Sequence, residues 1–326
     1  MTARAIAARR LPPGGLGHAR DWLEEHPWIW SFMAALLLWI AIGVIAGRGV
    51  GGTLTSALRF APFLILVGIG QMFVITTGYG AIDLSVPFLM TLTAFVGIDV
   101  MDHHGVALGL AASLGCGLAV AVANVVAIEL FAVPPIVATL AVGLMAQSAG
   151  NVRASGFGAQ VPDGFQSFVT AEVGPFPLLA LLCIAAAGLA GFVLHRTAFG
   201  RGVQAIGQNR RAADLAGLRV NRLLASAYLI SGLLAGLSGV LLGAQVTPSL
   251  DLGDPYLLDS IAVVVLGGSL IQGGRSNVPG VWGGTLFLLL LVTLLGVLDI
   301  SLAAQNIVKG ALIIIVLALA SSQSAT

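Results

Sequence analysis

The sequence predicts an all-α polytopic membrane protein with about ten transmembrane helices. Three observations predict it. First, 58% of the 326 residues are apolar and only 9% are charged, where a soluble domain carries roughly a quarter charged residues, and the mean hydropathy is +1.01. Second, the apolar residues fall in long runs of about the 20 residues that a spanning helix needs. Third, the arginines are divided unequally between the segments joining those runs, as the positive-inside rule requires of a multi-pass chain. The formal net charge of +1 argues against a nucleic-acid partner. Cys116 and Cys183, far apart and inside apolar runs, supply neither a disulfide framework nor a Cys-based metal site. The first thirty residues are polar and Arg-bearing, unlike a cleavable leader.

Bounded by Gly, Pro or charge, the runs lie near 28–46, 57–76, 82–100, 106–131, 135–150, 176–194, 223–245, 257–271, 278–298 and 303–321. The fourth is long enough to tilt or break. The fifth and eighth are short and read as candidates for re-entrant or interrupted helices. Residues 1–27 read as a tail followed by a short interfacial helix around Trp22, and 28–326 as the membrane domain. With ten crossings and a cytoplasmic N-terminus, Arg4, Arg9, Arg10, Arg20, Arg196, Arg201, Arg210, Arg211, Arg219, Arg222 and Arg275 fall inside, against Arg48, Arg59 and Arg153 outside. Both termini then lie in the cytoplasm. The Gly-rich face of the seventh run, with Gly232, Gly236, Gly239 and Gly243, reads as close helix packing.

The only long charged loop is 195–222. Asn209 is a good N-cap and Gly217 a good C′ terminator for a short helix over 210–216. Ala212, Ala213 and Ala216 would form a small, shallow face with too little apolar area for a core element. Such a face suits a groove in a partner.

Several segments resemble one family. Ala212, Ala213 and Gly217 fit Ala-Ala-x-x-x-Gly, the coupling-helix motif of ABC importer permeases. Gly70-Gln71-Met72-Phe73-Val74-Ile75-Thr76-Thr77-Gly78 followed by Ile82-Asp83-Leu84-Ser85-Val86 resembles the signature of ribose-type permeases. So do Val133-Pro134-Pro135-Ile136-Val137-Ala138-Thr139-Leu140 and Leu266-Gly267-Gly268-Ser269 with Gly273-Gly274-Arg275. There are departures: Arg211 stands where Glu is common, Tyr79-Gly80 is inserted, Pro87 replaces Gly, and Ser276 follows Arg275. Ala205-Ile206-Gly207-Gln208-Asn209 has the sugar-type form, distinct from that of the related branched-chain amino-acid permeases.

The resemblance implies a permease subunit importing a monosaccharide or similar polyol across the bacterial inner membrane, with a 5+5 inverted repeat. It implies pairing with a second permease copy or paralogue, an ABC ATPase inside and a periplasmic binding protein outside. It assigns ATPase coupling to Gly207, Asn209, Arg211, Ala212, Ala213 and Gly217, with Ala213 pressed into the ATPase. No Gly-x-x-x-x-Gly-Lys-Ser/Thr loop occurs, so the chain is not expected to hydrolyse ATP; ATP and Mg would sit on the partner, with no cofactor on this chain. Branched-chain amino acids or nucleosides are alternative cargoes.

An ion-coupled secondary transporter would need buried acid or His relays. Asp83 and Glu129 are the candidates, and Glu129 reads more simply as meeting an Arg of the charged loop. Asp83 and Asp259 each open a run, and each reads as a helix cap. Gln71, Ser85 and Asn124 join them as residues of a translocation path or of the packing. Lys309 reads as snorkelling outward. Adjacent His103 and His104 do not have metal-binding spacing.

Overall fold

The computed structural model describes residues 26–46 and 50–322. Most of the expected tail and its interfacial helix, with Trp22, lie outside the described residues.

Ten apolar helices occupy the ten predicted runs. They are α1 (Trp28–Ala46), α2 (Val50–Thr76), α3 (Val86–His104), α4 (Val106–Val125), α5 (Pro135–Ala154), α7 (Leu178–Arg196), α10 (Val220–Gln245), α11 (Tyr256–Leu266), α12 (Val278–Val297) and α13 (Leu302–Ser322). A short helix α6 (Asp163–Val169) and a two-residue hairpin, β1 (Glu172–Val173) with β2 (Phe176–Pro177), precede α7. The charged loop forms α8 (Ala198–Gln208) and α9 (Arg210–Leu215). Among the described residues, eight of these helices are long and apolar enough to cross a bilayer. Most of the molecule is therefore a multi-pass membrane bundle.

One expectation about length changes. The fifth run is a full helix of 20 residues, because its polar end from Gln147 to Arg153 still continues the helix. The eighth is short as expected: α11 has 11 residues, about 16 Å of rise against a hydrocarbon core of about 30 Å. Gly267 and Gly268 stop it, the latter at φ +80°. The long fourth run breaks: α4 gives way at Val126–Leu130 to one π-helical turn.

The bundle is built around α2 and α10, the most buried of the long helices together with α3. Glycine makes their contact close. A Cβ on Gly70 would fall 2.9 Å from the Ser231 Cα, and one on Gly239 would fall 2.3 Å from the Met90 carbonyl. By contrast α1, α4, α5 and α7 are mostly uncovered, and their exposed Leu, Ile and Val side chains present an apolar surface suited to lipid.

Apart from Asp83 and the Asp259–Lys309 pair, the charged contacts lie near helix ends. At one end Arg59 bonds Glu172 at 2.6 Å, Arg153 pairs with Asp99, and Asp102 accepts from the Gln160 N–H. At the other, Arg210 pairs with Glu129 at 3.6 Å. Each set joins residues that the arginine distribution assigns to one side.

Candidate functional site

The loop helix α9 forms as its sequence requires. The Asn209 carboxamide accepts from the Ala212 N–H at 2.9 Å, capping the first turn. Gly217, at φ +83°, closes the other end. Its N–H reaches the Asp214 carbonyl at 2.9 Å, and the Leu218 N–H reaches that of Ala213 at 3.1 Å. This is the paired bonding of a Schellman stop, with Leu218 and Ala213 in one apolar cluster.

The direction of the helix differs from expectation. Ala213 does not face outward: it is 5% exposed and packs with Ile206 and Val220. The exposed surface consists of Arg211, Ala212, Asp214, Leu215 and Ala216, followed by Gly217. Leu215 is 82% exposed, an apolar side chain that nothing in the described chain covers.

Gly207 is also not part of that surface. A Cβ there would fall 2.0 Å from the Thr76 carbonyl and 2.2 Å from the Gly274 nitrogen. Three segments meet at this point: the end of α2, the end of α8, and the loop after α11. The Gly274 N–H donates to the Thr76 carbonyl at 2.9 Å, and the Thr76 and Ser276 hydroxyls lie 2.5 Å apart. The departures from the family pattern acquire roles here. Ser276 supplies a hydroxyl that glycine lacks. Inserted Tyr79, at φ +56°, brings its phenol oxygen to accept from the Arg210 N–H at 3.2 Å. Pro87 lies in the first turn of α3, where its missing N–H costs no helical bond.

Asp83, Gln71, Ser85 and Asn124 come together, joined by Ser231. Asp83 is 2% exposed. It caps the start of α3 as expected, by accepting from the Ser85 N–H, and it also binds other elements. One carboxylate oxygen accepts from the Ser85 N–H at 3.1 Å and hydroxyl at 2.5 Å, with the Asn124 amide at 3.5 Å; the other accepts from Ser231 at 2.8 Å. The Gln71 carboxamide, oriented with its nitrogen toward the Asp83 carbonyl, pairs with both backbone groups of Asp83 at 3.2 Å. Asn124 also donates to the Ser85 hydroxyl at 2.9 Å. The cluster pins the broken segment between α2 and α3 to α4 and α10. Every member is buried, so in this conformation the five hold the break and do not line an open path.

Asp259 stands apart from this group. It lies in the first turn of α11, but Lys309 of α13 occupies its carboxylate at 3.2 and 3.3 Å. Lys309 is 9% exposed and does not snorkel: pairing inside the bundle keeps both charges from being buried alone. Glu129 meets Arg210, as expected.

Sequence reasoning missed Ser231, Tyr79 and Leu215. A serine in the middle of an apolar run was a usable signal for the first. For Tyr79 the signal was an aromatic residue inserted between glycines.

A family model described as "Branched-chain amino acid transport system / permease component" matches residues 53–317. The ribose import permease protein of Bacillus subtilis (strain 168) is 34% identical over 278 residues, covering 83% of this chain and 85% of that protein. The ribose import permease protein of Escherichia coli (strain K12) is 30% identical over 329 residues, 97% of each chain. The fructose import permease protein of Rhizobium meliloti is 31% identical over 286 residues, 82% of this chain and 78% of its own. No solved structure matches.

Proposed function

The chain belongs to the branched-chain amino acid transport system / permease component family, and from that premise we propose that it is the permease of an ATP-driven importer of a monosaccharide or similar polyol. The observation that carries the reading is α9: a capped, two-turn helix held by Tyr79 and Glu129, with Leu215 turned outward. It is the part of the molecule best shaped to receive a partner's motion. An ABC ATPase, binding ATP and Mg itself, would seat on that face. A second permease copy or paralogue would complete the path, and a periplasmic binding protein would deliver cargo at the opposite end. Arg211, Ala212, Leu215 and Ala216 form the contact; Asn209, Ala213 and Gly217 shape the helix that presents them; Gly207 fixes its base. The sugar cargo follows the ribose and fructose that the similar permeases import and the sugar-type segment before Asn209.

The membrane would be the bacterial inner membrane, with α8 and α9 in the cytoplasm, as the arginine-rich side requires. Single cysteines at Ser155 and Asn209, in a background without Cys116 and Cys183, give the check. We expect a membrane-impermeant maleimide applied outside to label position 155 in intact cells, and position 209 only after permeabilisation. Labelling of both from outside would reverse or break this topology.

The function itself is tested by reconstituting the permease with a partner ABC ATPase and a sugar-binding protein. The expected result is ATP-dependent uptake of labelled D-ribose, D-fructose or L-arabinose. Uptake of leucine alone would replace the sugar cargo with a branched-chain amino acid, and uptake driven by an ion gradient without ATP would sink the importer assignment.

A further inference from the structure

We propose that a cavity of about 440 Å³ between the α2–α3 segment, the π-helical end of α4 and the start of α9 binds a small neutral polyol, so that cargo released into the cytoplasm acts back on the transporter. The proposal rests on the orientation and cargo class given above. The volume lies within the roughly 300–1,000 Å³ usual for small-molecule sites.

The chemistry of the walls selects the ligand. Glu129 and Arg210 contribute one charge of each sign, so neither an anion nor a cation gains a net attraction. Their separation of 3.6 Å is too long for a hydrogen bond. A ligand hydroxyl that accepts from the guanidinium and donates to the carboxylate would give each the short, charge-assisted bond it lacks. Asn221 adds a carboxamide, which donates and accepts and engages no side chain among the described residues. Tyr79, Ile128 and Pro134 supply apolar and aromatic surface for the C–H face of a ring. Alternating hydroxyls and C–H groups on a compact frame describe a sugar or cyclitol, and describe an amino acid or nucleotide poorly.

The position explains what occupancy does. Glu129 belongs to the end of α4, whereas Arg210 is the first residue of α9. A polyol bridging them ties α9 more firmly to the bundle, and α9 is the element the ATPase must move. Rising internal cargo would therefore slow ATP turnover without any separate regulatory domain.

The test uses the purified permease–ATPase complex without its binding protein, titrated with D-ribose, D-fructose and L-arabinose while binding heat and ATPase rate are recorded. The wild type is expected to bind at least one of these saturably and to lose ATPase rate as it fills. Asn221→Leu and Glu129→Gln should each weaken binding roughly tenfold or more, because the remaining polar groups are left unpaired. Inhibition, expressed relative to each variant's own sugar-free rate, should move with binding. Asn221 is exposed, so its replacement leaves packing intact even if Glu129→Gln does not fold. Absence of binding by all three sugars, or unchanged binding in Asn221→Leu, overturns the proposal. Uptake in the reconstituted system separates the two readings: uptake with a blank titration removes this site and keeps the importer, whereas pocket-dependent binding without uptake does the reverse.

Discussion

Leu215→Glu is expected to abolish uptake and ATPase co-purification while the permease still reaches the membrane at normal levels. Leu215 is 82% exposed on a helix whose other outward residues are small or charged. An apolar side chain of that size gains nothing from water, and a partner surface that covers it would make it the centre of the contact. Charging such a residue typically costs about 2 kcal/mol or more of binding, roughly a thirtyfold loss of affinity. Leu215→Met, similar in volume and polarity, should retain most activity.

Ala213→Glu should also stop transport, but by another route: it drives a carboxylate into the cluster of Ile206 and Val220 and disorders the loop itself. Limited proteolysis distinguishes the two, with early cleavage between α8 and α10 only in Ala213→Glu. A Leu215→Glu variant that binds the ATPase normally would move the docking surface away from α9.

The second large effect is at Asp83. Asp83→Ala removes the acceptor for Ser85, Asn124 and Ser231 together. Each buried polar group left without a partner costs about 1–3 kcal/mol, and no water at that depth replaces the bonds. Asp83→Ala should therefore give little monodisperse protein in detergent. Asp83→Asn keeps one acceptor oxygen, and the Ser231 hydroxyl can rotate to accept from the new amide. It should fold and transport with a modest loss. Normal abundance of Asp83→Asn with no uptake at all would instead make the carboxylate's charge part of transport. Normal yield of Asp83→Ala would remove the structural role.

The elements of this fold that were legible in the sequence are those set by local chemistry. Run lengths located the helices, arginines sorted the ends, and Asn209 and Gly217 bounded α9. What could not be read depends on residues far apart in the chain. Asp83 looks like a cap because a carboxylate just before a helix usually is one; its partner Ser231 lies 148 positions away. Asp259 looks like a cap for the same reason until Lys309, 50 positions on, is brought beside it. In a helix of 6 residues the inward and outward faces differ by one residue of rotation. The alanines that suggested docking were partly there to let α9 lie against Ile206. The shortness of α11 was visible, but the purpose of Gly273 and Gly274 after it was not, since they lie against Gly78 and Gln208 from two other segments.

Those contacts bear on how force passes through the molecule. Where Thr76, Gly207 and Gly274 touch, peptide units meet with no side chain between them. Side chains absorb strain by changing rotamer; here they stand only at the margin, with Gln208 against Gly274 and the Thr76 hydroxyl on that of Ser276. A displacement of α8 would bear directly on the end of α2 and on the loop after α11. The softer places lie on either side, at Gly80 and Gly217, whose positive φ angles mark turns free of close neighbours. This end of the molecule thus has the geometry of a stiff crank between two pivots, joining the outward face of α9 to the half-length helix through backbone contact.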